Sequence, residues 1–256
     1  MAHLRCDFFS EVLGLSTSMT VILPQRTSTQ IGLAGAARTG GHPVLYLLHG
    51  LSDDDTTWLR RTSIERYVAP LGLAVVMPQV HRSFYSDEVH GNRYWTFLTQ
   101  ELPALVQSFF RLSNDRADTF VAGLSMGGYG AMKWALREPG MFAAVASLSG
   151  SLDIADARRW RDKPALMEHI FGENTVAGTD VDLLSLLDRA DPAGLPELFV
   201  ACGRQDRLIG GNEQFVARAA AAGIGLRSNF GPGEHTWDYW DARIQDVLAW
   251  LPLRSG

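Results

Sequence analysis

The chain of 256 residues has only two cysteines, Cys6 and Cys202. Two thiols so far apart in sequence outline neither a disulfide framework nor a cysteine-based zinc site. Runs of lysine or arginine are also missing, and the formal net charge is -5 at pH 7. That balance excludes a nucleic-acid or anionic-membrane surface as the main business of the chain. No apolar run approaches the roughly 18 residues that a membrane span needs. The N-terminal stretch "MAHLRCDFFSEVLG" lacks the apolar core and small-residue cleavage site of a signal peptide. The expectation is a cytoplasmic protein working on small molecules, with no cofactor and no metal.

What is present is an ordinary globular balance, 46% hydrophobic and 20% charged residues, and a clear alternation of patterns. "LRCDFFS" and "STSMTVILPQ" read as paired strands. After the turn-rich "ARTGGHP", the runs "VLYLLHG", "LAVVMPQ", "DTFVAGL", "FAAVASLSG", "ELFVACG" and "IGLRSNFG" read as strands, most of them continuously apolar and so buried on both faces. Helix-like stretches separate them: "TTWLRRTSIERYVAPLG", "NRYWTFLTQELPALVQSFFRL", "MGGYGAMKWALREPG", "GNEQFVARAAAAG" and "TWDYWDARIQDVLAWL". Strands alternating with helices predict a parallel α/β sheet covered on both faces, with an antiparallel N-terminal edge. Residues 1–256 are read as one domain, with a cap-like insertion over about 151–195.

The sharpest local signal is Gly123-Leu124-Ser125-Met126-Gly127, a G-x-S-x-G sequence between an apolar β run and a helical pattern. In a nucleophile elbow the serine takes strained backbone angles, and glycines two residues to either side leave room for the tight turn. A helix cap alone would leave those glycines unexplained. A serine nucleophile needs a base, and the base needs an acid to orient it. In this fold class they follow in the order serine, acid, histidine. Two histidines remain after Ser125, His169 and His235. His235, in "GPGEHTWDYW", stands just past the last predicted strand, whereas His169 falls inside the insertion. Asp206, in "ELFVACGRQD", follows the fifth apolar strand and is the candidate acid. Met126 supplies one oxyanion-hole amide, and "YLLHGLSDD" supplies the other through Leu51, with His49 bracing that loop.

Taken together, "LLHGLSDDDTTW", "VVMPQVHRSFYSD", "RYWTFLTQELP" and "GLSMGGYGAMKWAL" resemble the esterase D / S-formylglutathione hydrolase-like serine esterases, above all the bacterial tributyrin-esterase branch. The resemblance runs over roughly residues 4–251. It implies the α/β-hydrolase fold, carboxylester hydrolysis of short acyl chains, and a homo-oligomer as a plausible assembly. By motif it places the nucleophile at Ser125, the acid at Asp206, the base at His235 and the oxyanion amides at Leu51 and Met126. S-formylglutathione hydrolysis and acyl transfer by the same triad stay open as alternatives. The glutathione branch usually carries a cysteine shortly after "HGL", and this chain reads "HGLSDDD" there.

The pocket is the least determined part. Trp58, Trp95 and Trp237 are the candidate walls, with Phe84, Tyr85, Tyr94 and Trp240 near the same motifs. The acidic run 52–55 reads as a solvated loop or helix cap, without the spacing of a calcium loop. His81 and Arg82 fall near the pocket without a catalytic assignment.

Overall fold

The computed structural model describes residues 1–254. The apolar runs become strands: β1 (Ala2–Ser10), β2 (Leu15–Leu23), β3 (Val44–Leu48), β4 (Ala74–Pro78), β5 (Thr119–Leu124), β6 (Ala144–Leu148), β7 (Glu197–Ala201) and β8 (Arg227–Asn229). Among the described residues they form one sheet in the order β1-β2-β4-β3-β5-β6-β7-β8. β1 pairs antiparallel with β2 and β2 with β4, which gives the expected antiparallel edge; every later pairing is parallel.

Strand periodicity sorts the core into two layers. Val44, Tyr46 and Leu48 of β3 join one cluster, together with Val121, Val145 and Val200. Leu45 and Leu47 point the other way, towards Phe120, Ala122, Ala146 and Phe199. The helices α1 (Thr57–Arg61), α2 (Ile64–Val68), α3 (Tyr94–Thr96), α4 (Leu102–Phe109), α5 (Met126–Arg137), α6 (Pro164–Phe171), α7 (Leu183–Arg189), α8 (Ile209–Ala221) and α9 (Trp237–Trp250) connect and cover the strands. α9 presents Tyr239, Trp240, Ile244, Val247 and Leu248 as one buried stripe, and each such side chain contributes about 1.5–3 kcal/mol when fully buried.

Three stretches depart from the expected pattern. The helix read through residues 92–112 contains a π turn at Phe97–Glu101 between α3 and α4. Pro103 explains the break: it has no N–H to give, and its ring crowds the carbonyl one turn earlier. The helix read over 56–72 divides at Thr62, whose backbone is extended and whose hydroxyl bonds back to the Trp58 carbonyl at 2.6 Å. The last strand shortens to Arg227–Asn229 because, as an edge, it has one neighbour to pair with. Residues 151–195 connect β6 to β7 and include α6 and α7, the latter packed against α5 and α8.

Candidate active site

β5 ends at Leu124 and α5 starts at Met126, so Ser125 alone makes the corner. Its φ of 52° and ψ of -114° lie in a region that side chains avoid. The corner is held from both sides, because the Ser125 amide donates to the Leu148 carbonyl at 2.9 Å and its own carbonyl accepts from Ser151 at 3.1 Å. Gly123 and Gly127 are needed for this close approach. A Cβ on Gly123 would run into the Gly127 backbone, and one on Gly127 into the carbonyl of Leu48.

The loops after β7 and β8 bring up the other two groups. They are tied to each other: Gln205 donates its amide to the Gly233 carbonyl at 3.0 Å, and Gly233 donates to the Gln205 side chain at 2.9 Å. Gly233 has a φ of 150°, open to glycine alone at little cost. The clamp sets His235 between Asp206 and Ser125. His235 Nδ1 lies 2.8 Å from Asp206 Oδ2, and its Nε2 lies 3.1 Å from Ser125 Oγ. With Nδ1 carrying the proton to the carboxylate, Nε2 is free to accept from the serine. Burial alone would raise the Asp206 carboxyl, but the bond from His235 and the Leu208 amide at 2.9 Å outweigh it and hold the group below its ordinary value. The imidazole is further fixed by the Trp240 ring, edge-on at 4.9 Å.

Opposite Ser125, the loop after β3 is shaped by His49. Its Nε2 accepts from the Val80 amide at 3.2 Å, which leaves the proton on Nδ1 to be donated to the Gly50 carbonyl at 2.8 Å. A trans peptide points its N–H away from its C=O. Anchoring the Gly50 carbonyl on His49 therefore turns the Leu51 amide the other way, and no acceptor is recorded for that amide among the described residues. Met126 is the first residue of α5, where helix amides have no acceptor within the helix. Burial lowers the His49 pKa, which keeps the ring neutral and the tautomer intact.

Of the two readings of the acidic run, the helix cap holds at Asp54 and the solvated loop does not. Asp53 accepts from the Gly50 amide at 3.1 Å, Asp54 caps the turn into α1 through Thr56 and Thr57, and buried Asp55 accepts from Ser18 and Thr20 of β2. The run stitches the loop after β3 to the antiparallel edge. On the far side, Tyr85 donates its hydroxyl to the His49 carbonyl at 2.9 Å. Phe84 and Tyr85 both have positive φ, and the buried Lys133 side chain, its pKa pulled well below the ordinary lysine value by burial, steadies them by donating from Nζ to Ser86 Oγ at 2.8 Å and the Phe84 carbonyl at 3.3 Å.

Ser125 and His235 open into a cavity of about 590 Å³. Of the three tryptophans expected to wall it, Trp237 does so, joined by Trp240 and Leu124. The other two readings need correcting. Trp58 stands one layer behind, 1% exposed, with its indole N–H on the Leu48 carbonyl and its ring edge-on to Trp237 at 5.3 Å. Trp95 faces a separate cavity of about 270 Å³, where Lys133 and Arg137 lie over its ring. Lys163 from the start of α6 and Arg207, beside Asp206, also line the catalytic cavity and were not picked out from sequence. Arg207 adjoins the candidate acid in "GRQDR", which is the one signal available for it; Lys163 carries none. His169 lies on α6, 3.7 Å from Glu88 and away from Ser125's hydrogen bonds. Among the described residues, no group of three or more His, Cys, Asp or Glu side chains is placed to hold a metal ion, and no helix is long and apolar enough to cross a membrane.

A serine on a strand-to-helix corner, within a mostly parallel sheet of this order, defines the α/β-hydrolase class. Comparison with solved structures agrees. The fluorophosphonate-binding serine hydrolase F of Staphylococcus aureus superposes with a TM-score of 0.89 at 34% identity, covering 99% of both chains. An S-formylglutathione hydrolase from the same organism does so with a TM-score of 0.85 at 35% identity, covering 98% of both. An acetyl esterase of Caldicellulosiruptor saccharolyticus is 28% identical over 98% of each chain. The family model described as "Putative esterase" matches residues 10–251. The chain belongs to this Esterase family and is a carboxylic ester hydrolase of the serine type.

Proposed function

We propose that this enzyme hydrolyses short-chain acyl esters through an acyl-enzyme on Ser125. The observation that carries the reading is the unbroken relay Asp206–His235–Ser125, with bonds of 2.8 and 3.1 Å. Ser125 Oγ attacks the ester carbonyl while His235 Nε2 takes its proton. The developing oxyanion is met by the amides of Leu51 and Met126 and by the positive end of α5. His235 then returns the proton to the departing alcohol, and a water molecule repeats the sequence to free the acid. Nucleophile, base and oxyanion donors are all protein groups, so the cycle asks for no cofactor. Residues 151–195 act as a small cap, contributing Lys163 to the cavity. A fluorophosphonate probe should label Ser125, and a panel of p-nitrophenyl esters, run beside S-formylglutathione, tests the substrate class. An unlabelled serine together with an inert panel would overturn the reading.

The apolar wall of Leu124, Trp237 and Trp240 is short. Each methylene it covers is worth about 0.8 kcal/mol, so kcat/KM should climb from acetate to butyrate. Once the wall is used up the gain stops, and the turnover is expected between about four and eight carbons. Initial rates on acetate, butyrate, octanoate and palmitate esters check this; a maximum at palmitate contradicts it.

His49 yields a second expectation, specific to its two ring nitrogens. In His49→Asn the amide nitrogen can stand where Nδ1–H stands and still hold the Gly50 carbonyl. In His49→Gln the side chain reaches the Val80 position and leaves that carbonyl unheld. One oxyanion donor is worth about 10²–10³ in kcat. His49→Gln should therefore lose about 10- to 100-fold, and His49→Asn distinctly less. Steady-state kinetics on p-nitrophenyl acetate measure the difference, and the opposite order would remove His49 from the positioning of Leu51.

A further inference from the structure

The catalytic cavity has two unlike walls. One is the apolar wall of Leu124, Trp237 and Trp240; the other carries three cations, Arg82, Lys163 and Arg207, against a single carboxylate, Asp53. Asp53 is already engaged by the Gly50 amide. Lys163 is ion-paired with Asp162. That carboxyl is held below its ordinary value first by the Lys163 bond and, more weakly, by the charge of Arg207. Neither Arg82 nor Arg207 has an ion pair or a hydrogen bond from its guanidinium among the described residues; Arg207 meets Asp162 only through charge. The catalytic relay uses none of these cations, and an uncompensated guanidinium at the mouth of a reaction cavity favours an anion there.

Arg82 also has a particular place. Together with Leu51, Ser52 and Asp53 it lines a second compartment of about 560 Å³, which continues past Tyr94, Asn92 and His169. The cleft therefore runs on from the reaction centre along a polar path, on the side away from the tryptophans. A short acyl group fills the apolar wall, and the polar path is left for the departing portion of the substrate. The second compartment's own carboxylate, Glu88, accepts from the Asn92 amide at 2.8 Å and lies 3.7 Å from the His169 ring. Of the two unpaired guanidinium groups, Arg82 is the one that lines both compartments, and so it stands at their boundary.

We propose that the preferred substrates are esters or thioesters whose leaving group carries a carboxylate, and that Arg82 receives that carboxylate at the junction of the two compartments. This rests on the assignment of Ser125 as the esterase nucleophile. The planar guanidinium fork suits a carboxylate better than it suits a neutral polar group.

The experiment compares 4-acetoxybenzoate with its methyl ester, a pair that differs in the charge of the leaving group. Each kcat/KM is divided by the ester's own alkaline hydrolysis rate, which removes the difference in leaving-group reactivity. An exposed charge-assisted contact supports a preference of about tenfold for the anionic ester, carried mainly in KM. The ratio should fall towards one as salt is raised from about 20 mM to about 0.5 M. It should also collapse in Arg82→Gln and be partly kept in Arg82→Lys; because it is a ratio within one protein, the fraction of active enzyme cancels. A second pair, 4-nitrophenyl hydrogen glutarate against 4-nitrophenyl butyrate, places the charge on the acyl side. A ratio of one or less in the parent enzyme, or a ratio unchanged in Arg82→Gln, overturns the proposal. A preference confined to the acyl-side pair does so as well. If the neutral methyl ester is hydrolysed and Ser125→Ala abolishes that hydrolysis, the esterase reading survives such a failure. If the neutral ester is inert, or Ser125→Ala still hydrolyses it, both fall together.

Discussion

Ser125→Ala is expected to lower kcat on p-nitrophenyl acetate by about 10⁴ to 10⁶ while the fold stays intact. The size of the loss follows from chemistry: alanine has no oxygen to attack with, and what remains is binding and the oxyanion amides acting on water. The fold should not suffer, because the backbone of the corner carries its anchoring bonds. The residue 125 amide still donates to the Leu148 carbonyl, and its carbonyl still accepts from Ser151. Among the described residues, the side chain's one hydrogen bond is to His235. Stopped assays with an unchanged circular dichroism spectrum test both halves. Activity within tenfold of the parent would move the nucleophile elsewhere.

His235→Ala should lose nearly as much, and the double variant with Ser125→Ala little more than either alone. Residues that act as one unit are not additive: a serine without a base is almost as idle as no serine. The structure gives the unit its physical form. Asp206 is 2% exposed, and its carboxylate is satisfied by His235 and the Leu208 amide. Removing the imidazole leaves a buried charge short of a partner, a loss of about 1–3 kcal/mol in stability that should show as a lowered thermal midpoint. A double-mutant cycle in kcat/KM reads the coupling. If the two losses multiply instead of merging, His235 and Ser125 work independently, and the relay is not the catalytic unit.

The sheet was readable because its central strands are buried on both faces, so their sequences are unbroken apolar runs such as "VLYLL" and "AVVMP". Helices were readable where one stripe is apolar, as in α9. The breaks at Thr62 and Pro103 are local events laid over a helical pattern, and periodicity averages over them. The positions of Ser125, Asp206 and His235 were readable because each follows a strand end, so chain order stands in for position in space. The pocket did not share that advantage. Trp58 follows the same loop as Leu51, yet its indole turns inward to the Leu48 carbonyl, and Trp95 turns to a separate cavity beside Lys133 and Arg137 of α5. A side chain's direction is set by its partners in three dimensions. Likewise Arg82, Lys163 and Arg207 come from three separate loops, and no spacing in the sequence brings them together.

Of the two lysines in the chain, Lys133 is fully buried beneath the Phe84–Ser86 turn, and Lys163 borders the catalytic cavity. Amine-directed chemistry, as used to tether enzymes to resins or to attach dyes, would thus find a single reachable side chain, and it lines the cavity that holds Ser125. Attachment through lysine would crowd that cavity. Attachment through carboxylates on the outer surface, such as Asp7 of β1, would leave it open.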